Sequence, residues 1–431
     1  MKKVFIIFLA VFLFNNNLFA VTLSEALLEA YKNNPALNAE RENFNISKEE
    51  LIISKSNYLP SVTLSGSKSK EKTNKLTNQN GGNATIKDVN PLTTSIKLEQ
   101  TIFDFGRDAD LKKNKIGVNL AQMKLLKKEQ DILYKAVEAY TGLILANEKY
   151  LINRRNVKLL ERQVETDKVR LDRGQITISD LAQSESSLAG ARAQYIEANS
   201  ELLTSKLNYE NVIGSVFRAD DLKKYSDTIA EIPKSVNDAI ELAKEKNPDL
   251  IIAKLEFEQS EQNVSIARSD LLPTSTLSLE RSYTEDLSAT YDEKEKDVLK
   301  ATISWPFYTG GKNKAKVNKE QNLKARKRLL LDDVIRTNET NVASAWSKLQ
   351  ASKSFLDSIK AQVKASKIAN EGIKAEYERG SGRTTLDVIQ SNSLLLNAQI
   401  SLANSERNYL LSQYNLLKMV GLLNSEYLKL K

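Results

Sequence analysis

The 431-residue chain contains no cysteine and no histidine. Their absence excludes disulfides, thiolate nucleophiles, imidazole acid–base chemistry and most zinc sites. It also excludes an N-terminal lipoprotein anchor, which needs a cysteine. Proline (7) and glycine (15) are scarce for this length, so few positions interrupt a helix. Beyond the N-terminus no apolar run is long enough to cross a bilayer as a helix. The carboxylates, lysines and tyrosines that remain for catalysis form no paired-acid arrangement, so a wall-degrading hydrolase has no support. No catalytic, cofactor-binding or metal residue is assigned, and no enzyme is expected. The formal charge of +8 is spread with both signs mixed along helical stretches. That pattern reads as solvated helix faces, with no nucleic-acid partner.

What is present begins with a secretory signal. Lys2-Lys3 form a basic n-region and Val4 to Phe14 an apolar core too short to span a bilayer. Cleavage is expected after Ala20, making residues 1–20 a signal peptide, although Leu18 is large for its place before the cut. An exported chain without a membrane helix can cross a membrane only with β-strands.

The remainder is one unit written twice. Asn34-Pro35 recurs as Asn247-Pro248 and Leu59-Pro60 as Leu272-Pro273, both 213 residues on. Phe103-Asp-Phe-Gly106 faces Phe307-Tyr-Thr-Gly-Gly311, and Arg173-Gly174 faces Arg379-Gly380. Asp180 faces Asp387, and Gly214 faces Gly421. The expected division is a first repeat over 21–214, a linker over 215–235, a second repeat over 236–421 and a tail over 422–431.

Within each repeat a short amphipathic helix, an Asn-Pro break and a second helix are followed by a change of period from helical to two. Val62, Leu64 and Gly66 alternate with polar residues, as do Ile96, Leu98 and Ile102. In the second repeat Leu277 and Leu279, then Leu299, Ala301, Ile303 and Trp305, do the same. Strands are expected at about 59–69, 93–103, 273–284 and 298–307. Phe103, Phe105, Trp305, Phe307 and Tyr308 collect at one end, as an interfacial aromatic girdle does. An ordinary soluble sheet with one wet face also alternates. Four strands are too few to close a membrane barrel, so a spanning sheet requires several chains to share one barrel.

Each strand pair leads into a proline-free run, Gly106 to Arg173 or Gly311 to Arg379. As a continuous helix each would be on the order of 100 Å long. The returning segments carry heptads: Leu181, Leu188, Tyr195, Leu202 and Tyr209, then Val388, Leu395, Leu402, Tyr409 and Leu416. Small residues sit between them: Ser184, Ala191, Ala198 and Ser205, then Ser391, Ala398, Ser405 and Ser412. Large and small residues alternating at this spacing give close, coiled-coil-like seams. The fold class is therefore mainly α, with long antiparallel coiled-coil-like helices and a small part of four antiparallel strands.

The turns joining the long helices, Leu171 to Asp180 and Tyr377 to Asp387, combine an Arg-Gly break with an aspartate that opens the next helix. Thr177-x-x-Asp180 and Thr384-x-x-Asp387 have capping-box spacing, so the aspartates alone are explained by helix capping. Capping does not explain why Tyr377 and Arg383 stand where the first repeat has Leu171 and Ile176.

In its duplicated order, Leu-Pro strand starts, Phe-Asp-Phe-Gly and Phe-Tyr-Thr-Gly-Gly junctions and tip turns, the chain resembles the TolC family of outer-membrane efflux proteins. The resemblance covers nearly the whole exported chain. It implies a homotrimer in which each chain gives four strands to a shared outer-membrane β-barrel in contact with lipid, continued by a periplasmic α-barrel. It implies a passive duct working with a periplasmic adaptor (membrane fusion) protein and an inner-membrane transporter, in drug efflux or type I protein secretion. It places Tyr377, Arg383 and Asp387 on the positions of the periplasmic gate, with Ser179 and Asp180 as their partners. Gln390 lines the entrance where the family often has a second acid, and the second turn is one residue longer. Arg173-Gly174 and Arg379-Gly380 resemble the tips on which adaptors dock. The rival reading is an exported coiled-coil structural protein that tethers the envelope without channel activity.

Overall fold

The computed structural model describes residues 21–72, 88–214, 222–225, 232–288, 291–380 and 382–430. The expected signal peptide, 1–20, lies outside the described residues, as do parts of the first strand-connecting loop and of the linker. Twelve elements follow in chain order among the described residues: α1 (Leu23–Asn33), α2 (Pro35–Ser56), β1 (Ser61–Lys68), β2 (Leu92–Phe103), α3 (Arg107–Asp172), α4 (Ile178–Ile213), α5 (Val236–Lys246), α6 (Pro248–Ser269), β3 (Thr274–Glu285), β4 (Glu293–Ser304), α7 (Lys312–Glu378) and α8 (Thr385–Val420). The sequence repeat is thus an ααββαα repeat. The chain divides into two compact units, Met1–Asn38 with Lys128–Asn247 and Glu339–Lys431, and Ala39–Lys127 with Pro248–Asn338.

The second of these units carries the sheet. Its strands lie in the order β1-β2-β3-β4, all antiparallel, with a bulge in β2 at Thr101/Phe103. The apolar residues of the alternation stand exposed, Leu64 at 80% and Ile303 at 76%. β1 pairs only with β2 and β4 only with β3, so both outer edges are unpaired among the described residues. β4 starts earlier than the apolar alternation predicts, at Glu293 rather than about 298, and ends at Ser304. The alternating charges Glu293 to Asp297 read as a loop, yet they pair across the strands, with Arg281 bonded to Glu295. Trp305, Phe307 and Tyr308 follow the strand as exposed rings, and Trp305 meets Phe307 edge to face at 5.8 Å. At the foot of the sheet the Arg107 guanidinium donates to Asn57 O and Thr101 O at 3.1 and 3.0 Å and stacks on Tyr58.

The other unit shows why the repeats keep their Asn-Pro. Asn34 ends α1, and its side-chain amide donates to Val212 O at 3.1 Å. Asn247 ends α5 and donates to Met419 O at 2.7 Å, the equivalent bond in the second repeat. Each asparagine fastens a short helix to the end of the returning helix, beside the left-handed caps Gly214 and Gly421. Tyr140 is buried and donates to the carbonyls of Val21 and Lys223, tying the start of the first repeat to the linker. Lys224 pairs with Glu148 and Glu406 at 2.7 and 2.6 Å. Ile232 of the linker and Leu422 of the tail pack on one core cluster formed by α5, α7 and α8. On α4 and α8 the small heptad residues Ser184, Ala191, Ala198, Ser391, Ala398 and Ser405 are buried, together with the large heptad residues Tyr209, Val388 and Leu416. Larger residues such as Ile196, Leu203 and Leu207 stay exposed on α4.

Candidate functional site

The two tip turns are built by helix-ending and helix-starting chemistry. α3 stops at Asp172, and Gly174 takes a φ of 68° that a side chain would resist. Thr177 then caps α4. Its backbone N–H and hydroxyl both donate to Asp180 Oδ2, at 2.9 and 2.8 Å, while its oxygen accepts from Asp180 N at 3.3 Å. The second tip repeats this. Gly380 and Gly382 have positive φ, and Thr384 exchanges the same three bonds with Asp387 at 2.8, 2.9 and 3.2 Å. Bonds from the backbone and hydroxyl of Thr177 hold the Asp180 carboxyl below its usual range. Bonds from the backbone and hydroxyl of Thr384, with Arg383 nearby, do the same to Asp387. Both aspartates therefore serve as reciprocal helix caps, the role their spacing alone allowed.

The unshared residues do something else. Arg383 Nε donates to Glu376 Oε2 at 2.6 Å, bracing the second turn against the end of α7. Tyr377 is part-buried between the repeats' tips, with its hydroxyl 3.0 Å from Thr385 Oγ1. It also donates to Asp167 Oδ1 at 3.4 Å, and the Arg170 guanidinium lies over its ring at 4.3 Å. Within one chain Tyr377 and Arg383 make no hydrogen bond to Ser179 or Asp180. Ser179, Arg173, Gly174, Arg379, Gly380 and Gln390 are exposed at the tips.

Asp167 was not singled out from the sequence. It is fully buried, and it accepts from Ser184 Oγ at 2.5 Å and Gln163 Nε2 at 3.0 Å. With Tyr377 it joins α3, α4 and α7 through one carboxylate. A signal was available. Asp167 lies seven residues after Leu160 and three after Val164, on a buried apolar row of α3, where an acid needs partners.

A model of the family described as outer membrane efflux protein matches residues 26–215 and 239–422, the two repeats. The chain belongs to this family. Among its relatives is the outer membrane efflux protein BepC of Brucella suis biovar 1, 29% identical over 95% of this chain and 87% of that one. The outer membrane protein TolC of Escherichia coli K12 is 24% identical over 94% of this chain and 84% of that one. The crystal structure of the CmeC outer membrane channel of Campylobacter jejuni has the same fold, with a TM-score of 0.79 at 19% identity, over 93% of this chain and 85% of that one. The TolC-family resemblance, the mainly helical fold with four antiparallel strands and the outer-membrane location thus hold. The chain is a transport duct and not an enzyme, in keeping with its family. Nothing in the family supports the tether reading.

Proposed function

We propose that three copies of this chain form one duct, each giving four strands to a twelve-stranded outer-membrane barrel and its long helices to a periplasmic tunnel. An adaptor protein and an inner-membrane transporter complete the path for drug efflux or type I protein secretion. The observation that carries the trimer is the sheet. Among the described residues both of its edges are unpaired, and its apolar side chains are exposed. An exposed edge with apolar side chains is stable in a membrane only when the barrel closes, and four strands cannot close it. The exposed Ile196, Leu203 and Leu207 of α4, seven and four residues apart, supply a second face for a neighbouring copy.

The tips form the periplasmic gate in this reading. Asp180 and Asp387 shape them, Asp167 anchors Tyr377, and Arg383, braced on Glu376 through Nε, turns its remaining guanidinium N–H groups, with Ser179, to the next hairpin around the ring. Gln390 puts an amide at the entrance in place of an acid, which weakens any charge filter there. The exposed Arg173-Gly174 and Arg379-Gly380 are the adaptor-docking ends.

The experiment is extraction from outer membranes in detergent followed by single-channel recording. A heat-modifiable trimer that conducts is expected. A monomeric, non-conducting product overturns the reading.

A further inference from the structure

The charged part of the sheet is sorted between its two faces. Along β4 the run Glu293 to Asp297 alternates acid and lysine, and successive strand side chains point to opposite faces. In register, Asp297 stands across from Arg281 and Glu295 across from Tyr283, on the face that carries Leu277, Leu279, Leu299 and Ile303. Lys294, Lys296 and Lys300 stand on the other face, across from Thr284, Ser282 and Ser278. They extend over about 20 Å of strand. The ion pairs of the sheet among the described residues are Lys97 with Glu99 and Arg281 with Glu295 and Asp297. None includes the three lysines, which are exposed. The acids of their face in the four strands are Glu99, bonded to Lys97, and Glu280, directly across from Lys97. This face therefore carries a surplus of cations.

Curvature identifies the two faces. In the central strands β2 and β3 the polar face is the more covered. Ser95, Lys97, Ser278, Glu280 and Ser282 are part-buried and Thr284 is buried, whereas Ile96, Leu98, Leu279 and Arg281 are exposed. The covered side chains are mostly the smaller ones, so bulk on their own face does not cover them. The sheet curls toward its polar face. A barrel closed from such sheets has that concave face as its lumen and the apolar face toward lipid.

We propose, building on the three-chain duct above, that Lys294, Lys296 and Lys300 line the barrel lumen and give the duct a preference for anions, so that anionic cargo is favoured at the exit. Three copies repeat the lysine column around one pore. The opposite edge strand, β1, brings only Ser61, Thr63, Ser65 and Ser67 to the same face, so the strand that meets β4 in the closed barrel adds no carboxylate to neutralise the column. Fixed charge of one sign on a water-filled pore concentrates the opposite ion, and low-dielectric walls focus its field. Gln390 brings no charge of its own at the proposed entrance.

The test uses the purified full-chain trimer in planar bilayers under a potassium chloride gradient near about 0.1 M, where the screening length is about 10 Å. The wild-type duct is expected to favour chloride. Lys294→Gln/Lys296→Gln/Lys300→Gln lowers the chloride-to-potassium permeability ratio by about twofold or more. Lys294→Arg/Lys296→Arg/Lys300→Arg keeps it. Charge reversal after assembly covers the case in which the glutamine variant does not fold. Lys296→Cys meets no other thiol in the chain. Sulfonatoethyl methanethiosulfonate added to that channel turns the ratio toward potassium, and the trimethylammonium reagent turns it back toward chloride. A wild-type duct that favours potassium overturns the inference, as does a ratio unchanged by the glutamine substitutions or by the sulfonate reagent. A trimer that carries no current defeats the duct reading and this inference with it, whereas a conducting trimer with the wrong ratio defeats this inference alone.

Discussion

At the scale of single residues, the proposed gate rests on an asymmetry between two repeats. Both keep the Thr–Asp cap, so the cap is a folding device. Only the second has Tyr377 and Arg383, and only the first has the buried Asp167, facing Ile373 at the repeat offset of 206. The Tyr377–Asp167 bond joins the repeats, with the acceptor in one and the donor in the other, and the proposed lock is divided in the same way. Replacing Tyr377 by Phe and Arg383 by Ala together is expected to raise single-channel conductance with the trimer intact. Asp167→Ala acts in the same direction, and its effect is non-additive with Tyr377→Phe because the two share one bond. Additive effects would detach Asp167 from the gate. The caps give a pH signature. A carboxyl whose folded pKa is depressed adds stability that is full above its ordinary range and is lost as pH falls through the depressed value. Asp180 and Asp387 are both depressed. Conductance is therefore expected to hold steady from about pH 7 to about pH 5 and to rise only below the ordinary aspartate range. Thr177→Ala/Thr384→Ala should flatten that rise, and an unchanged profile would assign it to other acids.

At the scale of elements, the glycines that end the returning helices test the repeat. Gly421 has a φ of 92°, and a Cβ there would collide with the Lys246 carbonyl. Gly214 has a φ of 89° with open space around it. Gly421→Ala should therefore destabilise more than Gly214→Ala, whose cost is about 1–2 kcal/mol for the left-handed backbone alone. Thermal melting of the two trimers checks the order, and equal shifts would contradict it. Most of this layer was legible in the chain. Asn-Pro, Leu-Pro and Arg-Gly marked the helix ends because proline and glycine act locally. The starts of β1, β2 and β3 followed from period-two alternation. The start of β4 did not, because its first five residues are charged and their pairing with Arg281 depends on a partner strand. The partners of Tyr377 were hidden for a similar reason. Asp167 is 210 residues away, and only the fold brings it within 3.4 Å.

At the scale of the whole molecule, the proposed trimer answers what a single chain leaves open. Among the described residues the sheet has two unpaired edges, the apolar residues of its strands stand exposed, and α4 keeps an exposed apolar stripe. The absence of cysteine makes this the easiest feature to test, since introduced pairs meet no background thiols. Cysteines placed along Val62–Ser67 of β1 and, in the same chain, along Val298–Ile303 of β4 can join only where those edges meet within disulfide reach. Oxidation in intact outer membranes, read as a ladder on a denaturing gel, is the most direct measurement of a barrel shared by three chains. A barrel shared by three chains gives crosslinks at matched depths and a ladder that stops at three chains. Crosslinks confined to monomers, or a ladder that runs past three, would contradict it.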